Sequence, residues 1–333
     1  MSIDGNYTAA GAAWRKREGY PCPNHPHQTA HQAHEAILSC KARGGTSASM
    51  DSPEIFDRRL RRQRRDRAAT IFADHAFLIE HLADELAERL AMVNRDFGRM
   101  LILGSFDGRI AERFAHPGRT IIAADAGYAF ARASGGVQCD EDRLPFADAS
   151  FDLVVSGGVL DSVNDLPGAL ALIRRILRPD GLFLAAFAGA GSLGWLKAAA
   201  LTADNAASGG AVPRVHPQID VRAAGDLLSR AGFTLQVADG ERLSIGYGDP
   251  LRLLRDLRGM AAGNLLPSRK PVSRSWLDMF FGLFNEATGP DHRLREIFEI
   301  IYLTGWAPGP DQPRPARRGS AVASLADALR RGD

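Results

Sequence analysis

Four short apolar runs, separated by amphipathic stretches, set the rhythm in the middle of the chain. Arg99-Met-Leu-Ile-Leu103, Thr120-Ile-Ile-Ala-Ala124, Phe151-Asp-Leu-Val-Val155 and Leu182-Phe-Leu-Ala-Ala186 read as buried strands. Helical patterns at 108–115, 127–134 and 166–177 lie between them. Strands alternating with helices at this spacing predict a doubly wound, mostly parallel sheet. A helical pattern at 221–230 precedes a further run at 233–237, and a late run at 297–303 can close the sheet edge. Helical patterns at 250–262 and 274–287 then form an insertion before the last strand.

Upstream, 55–93 is helical in pattern. Leu78, Leu82, Leu86 and Leu90 recur every four residues and share one face. The same stretch carries Arg58, Arg59, Arg61, Arg62, Arg64, Arg65 and Arg67, which must distribute around the whole helix. Two readings stand side by side: a solvated face with Asp57 and Asp66 as partners, or a docking surface for an anionic partner. Order is expected to begin near Ser52-Pro53-Glu54, a cap residue followed by proline at the first helical position.

The chain therefore divides into a disordered extension (1–49), an N-terminal helical segment (50–97), a core (98–247), a helical insertion (248–292), the last strand (293–310) and a C-terminal tail (311–333). Met50 is a candidate start. Residues 1–49 are rich in Ala, Gly, His and Pro with no sustained period, and the spacing of Cys22, His25, His27, His31, His34 and Cys40 matches no closed zinc site. No metal site is expected.

Composition narrows the partner more than the fold. The 333 residues carry 41 Lys and Arg against 39 Asp and Glu, and outside the first 50 residues the two signs balance. Nucleic acid is thus not the expected partner. Three cysteines, two of them in the tail, point to a reducing compartment rather than a disulfide framework. The start has no apolar run behind a positive segment, so no secretory signal is expected, and glycines and Lys197 interrupt the longest apolar stretch, so no membrane span is expected either.

Candidate chemistry sits where a doubly wound sheet binds ligands, at the carboxyl ends of its strands. The first strand ends in Leu103-Gly104-Ser105-Phe106-Asp107-Gly108, where glycines permit a tight turn and backbone N–H groups suit a carboxylate or phosphate. The second ends at Asp125, placed either to take both hydroxyls of a ribose or to cap a helix. Cys139-Asp140-Glu141-Asp142-Arg143-Leu144-Pro145-Phe146 leads into Phe151-Asp152-Leu153-Val154-Val155-Ser156, a more specific string.

These loops, with Arg178-Pro179-Asp180-Gly181 before the next strand, resemble in order and spacing the class I S-adenosylmethionine-dependent methyltransferases. The resemblance implies a Rossmann-like seven-stranded fold with S-adenosylmethionine as cofactor. It also implies Gly104, Ser105, Phe106 and Gly108 around the methionine moiety, Asp125 and Ala126 at the ribose, Asp140 and Glu141 near the adenine, and Ser156 at the end of the following strand.

From Pro53 onward the chain more closely resembles the family of complex I assembly factors of arginine-hydroxylase type and their bacterial relatives. The strings that carry this are Phe56-Asp57-Arg58-Arg59-Leu60, Val163-Asn164-Asp165-Leu166-Pro167, Leu227-Leu228-Ser229-Arg230-Ala231-Gly232-Phe233, Leu257-Arg258-Gly259-Met260, Ile300-Ile301-Tyr302-Leu303-Thr304-Gly305-Trp306 and Gly319-Ser320-Ala321. This implies action on an arginine of a complex I subunit, in the cytoplasm of a bacterium or the mitochondrial matrix of a eukaryote. The carboxyl methyltransferase of biotin synthesis, which acts on malonyl-carrier protein, is similar over the sheet. The partner is therefore a protein substrate or an acidic carrier protein, and a non-catalytic assembly factor is the remaining alternative.

Two departures bear on the chemistry. Ile102 stands for the family's usual acid and Phe106 for its middle glycine, so the ring at 106 must point away from the ligand or the site is closed. Relatives place His-Trp before the Val-Asn-Asp-Leu stretch, whereas this chain has Asp161-Ser162. Asp161 is a candidate general base or guanidinium ligand, or else a helix cap.

Overall fold

A computed structural model describes residues 54–310, 312 and 313, apart from 268. The extension at 1–49, Met50, the tail cysteines and histidines, and most of 311–333 lie outside the described residues.

Seven strands form one sheet. β1 (Arg99–Leu103), β2 (Thr120–Asp125), β3 (Val137–Gln138), β4 (Phe151–Gly157), β5 (Leu177–Ala188), β6 (Thr234–Tyr247) and β7 (Leu294–Trp306) lie in the order β3-β2-β1-β4-β5-β7-β6. β7 runs antiparallel to both neighbours and the remaining pairs are parallel. This is the doubly wound Rossmann-like arrangement expected of the sequence. The strand order switches side between β1 and β4, so the loops after β1, β2 and β4 converge at the carboxyl edge of the sheet.

Alternation along β1 feeds two cores. Met100 and Ile102 face one cluster, with Leu82, Leu86, Phe280 and Tyr302, while Leu101 and Leu103 face the other, with Leu170, Ile173 and Leu228. Ile102, standing where the family has an acid, is a wholly buried core residue. The second cluster is covered by α5 (Leu166–Ile176) and α7 (Val221–Arg230), the first by α2 (Phe77–Ala91), α6 (Gly194–Ser208), α8 (Pro250–Gly259) and α9 (Arg274–Ala287). The two insertion helices fall close to where the apolar pattern put them. Among the described residues, no helix is long and apolar enough to cross a membrane.

Three expectations need correction. The helical stretch at 55–93 is two helices, α1 (Arg58–Ala68) and α2, joined by a 3-10 turn at Phe72–Asp74. The described helix starts only at Arg58, capped by Asp57, which accepts from Leu60 N at 2.8 Å; Ser52 and Pro53 lie outside the described residues. The break is held from outside, because His75 Nδ1 meets Asp256 at 2.7 Å and its ring packs against Gly259, where a Cβ would come within 2.3 Å. Third, β6 extends ten residues past the expected 237, to Tyr247. Asp239, Gly240, Glu241 and Arg242 look like a turn in sequence, yet they pair with Tyr302, Ile301, Ile300 and Glu299 of β7.

Candidate active site

Two of the sequence strings meet where α1 docks. Phe56 N donates to Asn164 Oδ1 at 2.8 Å, and Asn164 Nδ2 donates back to Phe56 O at 3.0 Å. The neighbouring Asp165 caps α5 through Gly168 N. These contacts lay α1 across the loops after β2 and β3.

Arg61 and Arg65 of α1 consequently point inward, and Arg58 and Arg62 reach the same loops. Arg65 reaches Asp125 with Nε and Nη2, each at 2.6 Å, and both residues are buried. Arg61 reaches Glu141 with Nη1 at 2.7 Å and Nη2 at 3.0 Å, and Arg58 reaches Asp142 with two bonds of 2.6 Å. Arg62 donates to Asp140 Oδ2. The expected partners Asp57 and Asp66 play other roles: Asp57 caps α1, and Asp66 Oδ1 accepts from Ala129 N. Neither a solvated face nor a docking face describes Arg61 and Arg65. Burial pulls the Arg61 guanidinium down, but the charge and hydrogen bonds of Glu141 outweigh it and hold it above the ordinary arginine range. The hydrogen bond to Asp142 raises Arg58 likewise.

Phe106 carries its ring into the core. Its ring is wholly buried, stacks on Phe72 at 4.8 Å with an interplanar angle of 8°, and meets Phe130 edge-on at 5.3 Å. The Arg65 guanidinium carbon lies 4.5 Å from the Phe106 ring centroid and 5.2 Å from that of Phe130. Such a desolvated cation over aromatic faces is worth about 2 kcal/mol. The backbone accepts a left-handed φ of 46° at Phe106 to place the ring there, a conformation that costs an L-residue roughly 1–2 kcal/mol.

The N–H groups of the loop after β1 are not free, contrary to expectation. Gly104 N and Ser105 N both donate to Ala124 O, Phe106 N donates to Asp125 Oδ2, and Gly108 N donates to Ser105 O. The following helix, α3 (Arg109–Arg113), has only five residues. The two glycines serve different needs. A Cβ at Gly104 would lie 2.5 Å from Gly157 O and 2.6 Å from Val159, whereas one at Gly108 meets nothing within 4 Å, and only its φ of 98° calls for glycine.

The other predicted residues converge on the same edge. Asp125 additionally accepts from Gly127 N at 2.8 Å, so it supports the start of α4 (Tyr128–Ala133) as well. Ala126 is buried and its carbonyl accepts from Gln138 Nε2. Ser105 Oγ meets Ser134 Oγ at 2.9 Å. Two buried acceptors remain without hydrogen-bond partners, Asp140 Oδ1 and Ser156 Oγ. Burial, followed by the charges of Glu141, Asp140 and Asp125, pushes the nearby Cys139 thiol far up, which makes it a poor nucleophile.

The donor set therefore suits the expected cofactor in kind. A carboxylate ends β2, three more follow β3, and one of their oxygens, Asp140 Oδ1, is buried with no hydrogen bond, 3.8 Å from Arg61 Nη1, so it can accept from a ligand donor. The guanidiniums of Arg65, Arg61 and Arg62 hold the oxygens of Asp125, Glu141 and Asp140 Oδ2 in turn.

Asp161 lies in a 3-10 turn at Leu160–Ser162 and is not the helix cap, since Asp165 fills that role. It lines a cavity of about 820 Å³ together with Gly158, Arg64, Arg67 and His216. Enclosure by protein raises its carboxyl above the usual range, against the opposing charges of His216 and Arg61. The remaining core histidines are engaged: His81 with Glu241 at 2.9 Å and His216 with Gly263 O at 3.0 Å. Sequence reasoning missed Arg65 and Arg61 as occupants of the acids, and it missed the cavity.

Residues 101–185 match the Methyltransferase domain family. The chain is 34% identical over 305 residues to a Homo sapiens protein named arginine-hydroxylase NDUFAF5, mitochondrial, covering 88% of each chain. With its Danio rerio counterpart it shares 32% over 292 residues, 84% of this chain and 91% of that one. A malonyl-[acyl-carrier protein] O-methyltransferase of Halorhodospira halophila is 30% identical over 274 residues, 77% of this chain and 90% of the other. Among solved structures, the YcgJ protein from Bacillus subtilis aligns with a TM-score of 0.48 and 17% identity, over 67% of this chain and 97% of that one.

Proposed function

Because the chain belongs to the family of the mitochondrial arginine-hydroxylase NDUFAF5, within the class I S-adenosylmethionine-dependent methyltransferase fold, we propose that it modifies an arginine of a protein substrate in respiratory complex I assembly. S-adenosylmethionine is the cofactor in this reading. The observation that carries it is extent. The likeness runs through 84% of the chain or more, well beyond the methyltransferase domain at 101–185.

Asp125 would hold the ribose hydroxyls, and Asp140 with Glu141 the adenine edge. When bound, the cofactor supplies an electrophilic methyl group on a sulfonium. For it to enter, Arg65 gives up Asp125 and Arg61 gives up Glu141. Both arginines belong to α1, so they leave together. Asp161, on the turn after β4 and facing the cavity, orients the substrate's guanidinium or takes its proton. The reaction runs in the bacterial cytoplasm or, in a eukaryote, the mitochondrial matrix.

The test is to incubate the full chain with cell extract and map arginines by mass spectrometry. A gain of one oxygen or one methyl on an arginine, absent with Asp161→Asn, is the expected result, and it also separates hydroxylation from methylation. A methyl ester on a carrier protein with unchanged arginines would replace this reading by the carboxyl-methyltransferase one. No modified protein at all would favour the non-catalytic assembly factor.

A further inference from the structure

The cavity beside Asp161 has a charge pattern that arginine modification does not use. Six cationic side chains line it: Arg64, Arg67, Arg214, Arg258, Arg269 and Lys270. Among the described residues, Asp161 is the one carboxylate in the lining. Arg214 is committed to Asp204 at 2.6 Å, and Arg64 donates to Asn264 O. Arg67, Arg258 and Arg269 form no side-chain ion pair among the described residues, and their charges, after burial, push the Arg64 guanidinium below its ordinary value. Like charges kept this close, facing a shared space, are costly unless an anion joins them.

Behind this cationic rim the wall is apolar. Leu82, Leu196, Ala200, Leu257, Phe298 and Ile300 contribute to it, from α2, α6, α8 and β7. Trp276 also lines the cavity, and its buried indole N–H has no hydrogen-bond partner. A volume of about 820 Å³ lies within the range of ligand pockets, roughly 300–1,000 Å³.

We propose that this cavity binds a long-chain amphiphilic anion, with its carboxylate or phosphate head among Arg64, Arg67, Arg258 and Arg269 and its apolar chain against the α2, α6 and β7 wall. A cationic amphiphile would have only Asp161 to pair with and would leave the arginine charges uncompensated, and a short anion would leave the apolar wall unfilled. Neither the cofactor nor the arginine-modifying reaction is needed for this binding, so its failure and the failure of that reading are separate results.

Calorimetric titration of the full chain tests it, using palmitate and hexadecyl phosphate below their micellar concentrations, with hexadecyltrimethylammonium and acetate as controls. Saturable binding of at least one anionic amphiphile is expected, with both controls weaker by about tenfold or more. Binding of palmitate alone identifies a carboxylate ligand, and binding of hexadecyl phosphate alone a phosphate one. Arg258→Glu with Arg269→Glu changes exposed side chains only and should weaken binding about tenfold or more at unchanged melting temperature. Ala200→Phe, which occupies the tail space, should do the same, and Trp276→Phe should remove part of the fluorescence change on binding. Equal affinity for the cationic amphiphile, no binding of either anion, or full affinity in the charge-reversed protein would overturn the proposal.

Discussion

Arg65 and Asp125 lie 60 residues apart in sequence and meet through two bonds of 2.6 Å, with both side chains almost wholly buried. The pair couples the N-terminal helix to the carboxylate that ends β2. Replacing Arg65 by alanine leaves Asp125 buried with only the N–H donors of Phe106 and Gly127, and such an uncompensated charge costs about 3–5 kcal/mol. Urea unfolding should show that loss for Arg65→Ala and a smaller one for the Arg65→Ala, Asp125→Ala double variant. Strictly additive losses would show that the two side chains do not interact.

Asn164 makes the second clasp on the same helix. Asn164→Ala removes both hydrogen bonds to Phe56 and should cost roughly 1–3 kcal/mol, with the loss appearing first as faster amide exchange in α1. Exchange unchanged in α1 but faster elsewhere would contradict this role.

The enclosed carboxyl of Asp161 has a clear sign in pH. Its folded pKa is raised above the unfolded value of about 3.9, so the folded state holds the proton more tightly. Stability therefore falls as pH rises from about 4 to the folded pKa, and the full penalty persists above it. Asp161→Asn should melt higher than wild type at neutral pH, with the advantage vanishing below about pH 4. A pH-independent difference would show that the carboxyl is ordinary.

The two loop glycines should separate cleanly. Gly104→Ala drives a Cβ into the Gly157 carbonyl and Val159 and should prevent stable folding, whereas Gly108→Ala meets no atom and should cost only the left-handed strain, about 1 kcal/mol. Equal melting temperatures for the two variants would refute the distinction.

How much of this was legible beforehand varies with the range of the interaction. The buried parallel strands are short apolar runs, so β1, β2 and β4 fall within about two residues of their pattern. β6 and β7 are antiparallel and partly exposed, and polar residues such as Asp239 and Glu241 hide their length. Local strings single out the acids at 125, 140 and 141. They do not mark the acids' occupants, since the partners of Arg61 and Arg65 lie 80 and 60 residues away and no local period records them. The place of the Phe106 ring depends on Phe72, 34 positions earlier, a contact that no local pattern records.

The account turns on Arg65 and the cofactor competing for Asp125. The most direct measurement is calorimetric titration of S-adenosylmethionine into wild type, Arg65→Gln and Asp125→Asn. The account predicts affinity about tenfold or more tighter in Arg65→Gln, because the acceptor no longer has to be released, and none in Asp125→Asn. Weaker or unchanged binding in Arg65→Gln, or full affinity in Asp125→Asn, would contradict it.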